Sequence, residues 1–455
     1  MSTIEALSAI YFETVHPLLP ILNETEYRHE LESRTILAPL VHAVCLVAAK
    51  ATTAEPHLRH LQAGDAPVPV RQFCSRLYSS LVTALGGRVA LKKLTTIRIM
   101  ALLSFHHEGS DGAEQAACYN AQAIHRAQSL AMHLRRPNDE GSEMKRIFWC
   151  LWTLDRFIAA IHSRPCTMAD ADIAVEPITP EQSGWPAFDV LFRIAKLLNE
   201  VIALYRPTNP ESITGIETGF PGFEQILEET NGWSLSSSTL ALLSHRLKSI
   251  HALPAPTAAR MRQQLSAIRI IRSLEDPMHL RSLGPFPILV YATGLALSIS
   301  YQQLRYSRLA IDQQKALQDF NTACRILQEL SQKWESADIV ASLALKISER
   351  LNKVPRSELI RFDLLTSEVR ENEGHVCPPQ HVHPTGTTVT NTTENVVVDS
   401  GDPALGSQWD ADTLGLFDGM DDVSWMFLGA ENPASFDLSL PLQDTWPDNA
   451  SQPEY

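Results

Sequence analysis

The sequence predicts an all-α fold over residues 1–355, and three observations carry that reading. Residues 144–161 spell a helix that is apolar almost all round, which belongs inside a large helical body rather than on its surface. No run of β-alternation, internal repeat or heptad pattern survives counting. Apolar residues make up 44% of the 455, ample for a large core. Near Pro355 the composition changes. The chain therefore divides into a multi-helix domain (1–355), a disordered linker (356–411) and an acidic, hydrophobic segment (412–455).

Taken in order, residues 3–16 predict a short helix that Pro17 ends. Asn23 with Glu26 reads as a capping box opening a second helix. Residues 36–51, rich in Ala, Val and Leu, form the next, and a Gly- and Pro-bearing linker leads to a helix over 71–85. Helices over 90–106 and 113–134 follow, the second keeping Ile124, Ala127, Ala131 and Leu134 on one face. Its many alanines let neighbouring helices approach closely.

The apolar helix from Met144 comes next, with Ile147, Leu151, Leu154, Ile158 and Ile161 at helical spacing and Phe148, Trp149, Trp152 and Phe157 over the rest. Asp155 and Arg156 interrupt it. Buried charge is tolerable only when paired or well hydrogen-bonded, so both need fixed partners. The helix stops at Ser163, and Arg164-Pro165 leads into an extended acidic segment, Asp170-Ala171-Asp172, ending near Pro177. Further helices are predicted over 188–205, 219–230, 237–252, 256–273, 286–305, 309–333 and 337–353, as one large unit or two fused helical layers.

The formal net charge of −14 is unevenly placed. All 38 Lys and Arg precede residue 371 together with 37 of the 52 carboxylates, so the body carries +1 and the last stretch carries the acidity. A neutral body without a basic run argues against direct nucleic-acid binding by charge. In the tail, Leu416, Phe417, Met420, Val423, Trp425 and Phe427 lie among Asp412, Asp418, Asp421 and Asp422. Bulky apolar groups kept exposed by acidic neighbours are the mark of an activation segment. Leu416, Met420, Val423 and Phe427 fall at 4-3-4 spacing, one face of a short helix docked in a partner groove. A C-terminal helix folding back on the core is the alternative.

The seven cysteines are odd in number and scattered, as reduced core thiols are, and no C-x-x-C pair occurs. The most hydrophobic span, 286–301, is shorter than a membrane crossing and carries Thr293, Ser298 and Ser300, so it reads as a buried helix. No signal-peptide h-region opens the chain. The usual nucleophile-elbow and phosphate-cradling motifs do not occur. Asp170 and Asp172 are weighed as catalytic carboxylates and read as structural instead. His106-His107-Glu108 is read as a helix end, and His42 with Cys45 as core residues. His375, Cys377, His381 and His383 have metal-ligand types but sit among prolines in the linker.

Two motifs carry a resemblance. One is Tyr11-Phe12, His16-Pro17 and Pro20 at the entry to the domain. The other is the ordered series Lys145-Arg146, Phe148-Trp149, Asp155-Arg156, Ser163-Arg164-Pro165, Asp170-Ala171-Asp172 and Pro177. Together they resemble the fungus-specific regulatory domain, or middle homology region, of the binuclear zinc-cluster transcription factors, with Ser163 where that family usually has glycine. The resemblance implies a nuclear, non-enzymatic transcription regulator, an activator of a metabolic or secondary-metabolite gene set. It implies structural roles for Tyr11, Phe12, His16, Pro17, Trp149, Asp155, Arg156, Arg164, Pro165, Asp170, Asp172 and Pro177. Co-activators are the partners expected for the tail. Zinc is implied only for a cluster upstream of these residues; otherwise DNA is reached through another zinc-cluster factor. The alternative is a modulator that binds such a factor and never contacts promoters.

Overall fold

A computed structural model describes residues 2–59, 68–86, 91–106, 108, 112–135, 143–162, 164–178, 184–204, 257–307 and 309–353. The helices predicted over 219–230 and 237–252, the linker, the His/Cys group at 375–383 and the activation segment lie outside them. No β-strand occurs among the described residues, and the fold is all-α. The helices are α1 (Thr3–Thr14), α2 (Glu24–Glu32), α3 (Ala38–Ala48), α4 (Val70–Gly86), α5 (Lys93–Leu103), α6 (Gly112–Ser129) and α7 (Glu143–Ile161). After them come α8 (Pro186–Leu204), α9 (Thr257–Glu275), α10 (Pro277–Ser282), α11 (Ile288–Tyr306), α12 (Ala310–Ser331) and α13 (Glu335–Lys353). Short 3-10 turns at Thr52–His57 and Asp170–Asp172 complete them.

Local chemistry explains most boundaries. Ser2 and Glu5 form a reciprocal capping box on α1, Glu5 N–H donating to Ser2 Oγ at 3.3 Å and Ser2 N–H to Glu5 Oε2 at 2.9 Å. The box expected at Asn23 forms in one half: Asn23 Oδ1 accepts from Glu26 N–H at 3.3 Å, while the Glu26 carboxylate faces Arg98 at 3.9 Å. Asp276 caps α10, a helix too short for sequence periodicity to reveal. On α11, Thr293 and Ser300 donate back to the carbonyls of Leu289 and Ala296 at 2.7 and 3.0 Å. Both hydroxyls are thereby satisfied inside the core.

The helix expected over 113–134 stops instead at Ser129. Ala131 takes φ +54°, its N–H reaching Gln128 O at 2.8 Å and Met132 N–H reaching Ala127 O at 3.1 Å. This is the paired-bond closure that glycine usually supplies, and it tucks Met132 into the core. Leu134, expected on the buried face, is consequently exposed. Because alanine pays for its Cβ in the left-handed region, Ala131→Gly is expected to raise stability by about 1 kcal/mol, read as a higher urea midpoint.

Among the described residues two apolar cores organise the fold. The first gathers α1 to α7 and the start of α8. The second gathers α9, α11, α12 and α13. The helices α7 and α8 serve both: Phe148, Leu151 and Phe192 lie in the first core, Ile161 and Leu198 in the second, and Phe157 packs against each. This is why α7 is apolar almost all round. Full burial of such large side chains contributes roughly 1.5–3 kcal/mol each.

Candidate functional site

Most of the family-motif residues singled out in the sequence converge around α7. Its second to fourth turns present Trp149, Trp152, Asp155 and Arg156 toward the chain that returns after Arg164. Arg156, with only 1% of its side chain exposed, donates through Nη1 to Asp155 Oδ2 at 2.6 Å. Its Nη2 donates to Asp170 Oδ1 at 2.6 Å and to Met168 O at 3.0 Å. Asp155 in turn accepts from the backbone N–H groups of Thr167 and Met168, each at 3.0 Å. Trp152 Nε1 donates to Asp170 Oδ1 at 2.8 Å, and the Trp152 ring lies 4.6 Å under the Arg156 guanidinium. Asn199 of α8 completes the set, donating to Asp170 Oδ2 at 2.9 Å. Trp149 Nε1 holds Glu176 O at 3.0 Å, further along the same returning segment.

The acidic segment expected to be extended is therefore a single 3-10 turn. The Trp152 indole and the Arg156 guanidinium hold its start on α7, and the Asn199 amide ties it to α8. Asp170 is a member of this knot, whereas Asp172, Pro165 and Pro177 are exposed and stand apart from it. Arg164 contributes through its backbone, its N–H closing α7 onto Ala159 O at 3.0 Å.

The electrostatics follow from burial. Burial pushes the Asp155 carboxyl above the usual carboxylate range, against the pull of the Met168 and Thr167 N–H groups and Arg156. At Asp170 burial acts in the same sense but loses. The bond from Trp152, the charge and bond of Arg156, and Asn199 hold it below that range. One carboxylate is thus buried and locked by backbone, the other half-exposed and held by side chains.

The entry motif closes against the same helix. Tyr11, Phe12 and His16 are buried, with Phe12 packed edge-on to Tyr11, His16 and Tyr27 at ring distances of 5.2, 5.0 and 5.2 Å. Pro17 is half-buried at the turn. Arg146 from the first turns of α7 donates through Nε to Pro20 O at 2.9 Å and lies over Trp185. Trp185 meets His16 edge-on at 4.8 Å. Arg146 and Trp185 thus join the two motifs. Trp185 and Asn199 carry no periodic or spacing signal that marks them; only their places in space do.

Elsewhere, His106 lies just past the end of α5, as expected, and stacks on Tyr78 at 4.4 Å, and Cys45 is a core thiol whose pKa burial pushes up to about 12. Among the described residues no group of three or more His, Cys, Asp or Glu is placed to hold a metal ion. No described helix is long and apolar enough to cross a membrane. What the arrangement does is mechanical: it fixes the chain before α8 to α7, and the start of the domain to both.

Comparison with known proteins bears on this same region. Residues 9–214 match the model of the fungal specific transcription factor domain. Cutinase transcription factor 1 alpha of Fusarium vanettenii is 25% identical over 181 residues, which cover 38% of this chain and 19% of that relative. No solved structure matches the chain.

Proposed function

The chain carries a fungal specific transcription factor domain, and from that premise we propose that it acts in the nucleus as an activator of a metabolic or secondary-metabolite gene set. The observation that supports regulation is the match over residues 9–214, the region that holds both the entry motif and the Asp155–Arg156–Asp170 knot. Activation is supported by the tail, where Leu416, Phe417, Met420, Val423, Trp425 and Phe427 alternate with aspartates and no Lys or Arg follows residue 370. In this reading the helical domain controls the tail, and the tail recruits co-activators without any catalytic step. The relative's name ties that protein to cutinase; for this chain the class of target genes is left at metabolism.

A reporter assay tests the activator role. Residues 400–455 fused to an unrelated DNA-binding module are expected to drive a reporter. Trp425→Ala with Phe427→Ala is expected to cut the output several-fold, because large aromatics anchor such contacts. A silent fusion removes the activator role and leaves regulation alone.

The second reading is a modulator that binds a zinc-cluster factor, supported by the lack of any C-x-x-C pair in these 455 residues. Chromatin occupancy separates the two. An activator is found at promoters, either through a partner or through a zinc cluster outside this sequence. A modulator of this second kind is not.

A further inference from the structure

Among the described residues the two cores meet at several places, Phe286 reaching Phe105 of the first core among them, and two of the crossings differ in kind. One crossing is apolar, through α7 and α8, whose side chains enter both. The other is polar and centres on Glu108, in the connection between α5 and α6. Lys50, at the end of α3, has only 2% of its side chain exposed and donates to Glu108 Oε1 at 2.6 Å. Glu108 Oε2 accepts the backbone N–H of Glu335 at 3.1 Å, the first residue of α13. A single carboxylate therefore neutralises a buried cation in one half and caps a helix N-terminus in the other. Arg71 of α4 adds longer contacts to Glu108, Glu335 and Asp338 at 3.5, 3.4 and 3.5 Å. Lys50 Nζ also stands 3.7 Å over the ring of Trp334, and Lys333 donates to Thr52 Oγ1.

We propose that this polar crossing is a latch, that the domain opens along it about the shared helices α7 and α8, and that Glu108 holds it shut. Interfaces between units that move resemble transient contacts and are more polar than obligate ones. The seam has that character. Side chains from both halves, Leu46, Lys50, Phe105 and Trp334 among them, line it and leave no room for a water molecule. The apolar crossing is of the opposite kind, continuous helix buried in two cores, and it serves as the pivot. Opening breaks the Glu108, Arg71 and Lys333 contacts and the Lys50–Trp334 pair, each of which re-forms on closure. A fully packed interface offers no such pair of discrete states.

Hydrogen exchange on the full chain tests this, and the test does not depend on the transcriptional reading. In Glu108→Gln, exchange is expected to rise about tenfold or more at 335–340 of α13 and 46–50 around the end of α3. Residues 147–154 of α7 and 289–297 of α11 are expected to keep the parent rate. A uniform rise across both cores overturns the proposal, because Glu108 then only stabilises the whole domain. Unchanged exchange overturns it as well. Arg71→Met, at a partly exposed side chain that the fold tolerates, is expected to give a smaller rise in the same two segments. A rise elsewhere, or none, in that variant also counts against the latch.

Discussion

Arg156→Ala is expected to lower the free energy of unfolding by about 3–5 kcal/mol, the cost of leaving a buried charge without its partner. The arginine serves three acceptors at once, Asp155 Oδ2, Asp170 Oδ1 and Met168 O. Removing it strands the Asp155 carboxylate in a site that is 2% exposed and releases the start of the acidic turn from α7. Asp155→Ala is expected to act comparably, since it strands Arg156 and the N–H groups of Thr167 and Met168. Arg156→Lys recovers only part of the loss, because an ammonium cannot reproduce the planar fork that spans these acceptors. Urea denaturation gives the check. Midpoints equal to the parent in both alanine variants would falsify the view that this knot holds the fold.

Acid is expected to weaken the domain well above the pH at which carboxylates titrate. His16 is held down to about 4, chiefly by burial and then by Arg146, and His106 to about 3 by burial and Lys50. Neither His16 nitrogen has a hydrogen-bond partner among the described residues, which leaves the imidazolium nothing to lean on. An unfolded imidazole takes its proton near pH 6.5. Both groups therefore contribute full stability above pH 6.5, and that contribution drains away as pH falls toward 4. At pH 5 the loss is on the order of 2 kcal/mol for each ring. His42, also depressed by burial, acts in the same direction. Asp155 and Asp319 are shifted upward and act in the opposite one, so the variants matter more than the parent curve. His16→Phe keeps a ring in the box beside Trp185 without a proton to bind. The drop in stability between pH 7.5 and pH 5 should shrink by about 2 kcal/mol in that variant; a drop as large as the parent's rules His16 out as a source.

These two effects differ in how far the sequence announces them. That Asp155 and Arg156 have fixed partners follows from two charges inside an apolar helix, because burial without pairing is too costly to persist. The identity of the partners does not follow. Met168 and Thr167 contribute backbone, which leaves no trace in residue type, and Asn199 is one amide among many. The helices are legible wherever an apolar stripe repeats over several turns, as in α4 or α12. They are misjudged where a single backbone angle decides the outcome. Ala131 at φ +54° ends α6, although alanine is the residue least expected to end a helix. The seam is invisible for a different reason. Lys50 and Glu108 come from separate stretches, and a lone lysine at the end of an alanine-rich helix reads as an exposed cap rather than a buried cation.

The sharing of α7 and α8 between two cores also has a consequence for how the protein is made. Ribosomes deliver the chain N-terminus first, at about 5–20 residues per second. Ile161, Leu198 and the free flank of Phe157 emerge well before Ala267 to Ile347, the residues that cover them. For a time on the order of ten seconds the nascent chain carries this greasy flank without α9, α11, α12 and α13, whose residues share its core. That interval is where chaperone capture or misassembly acts.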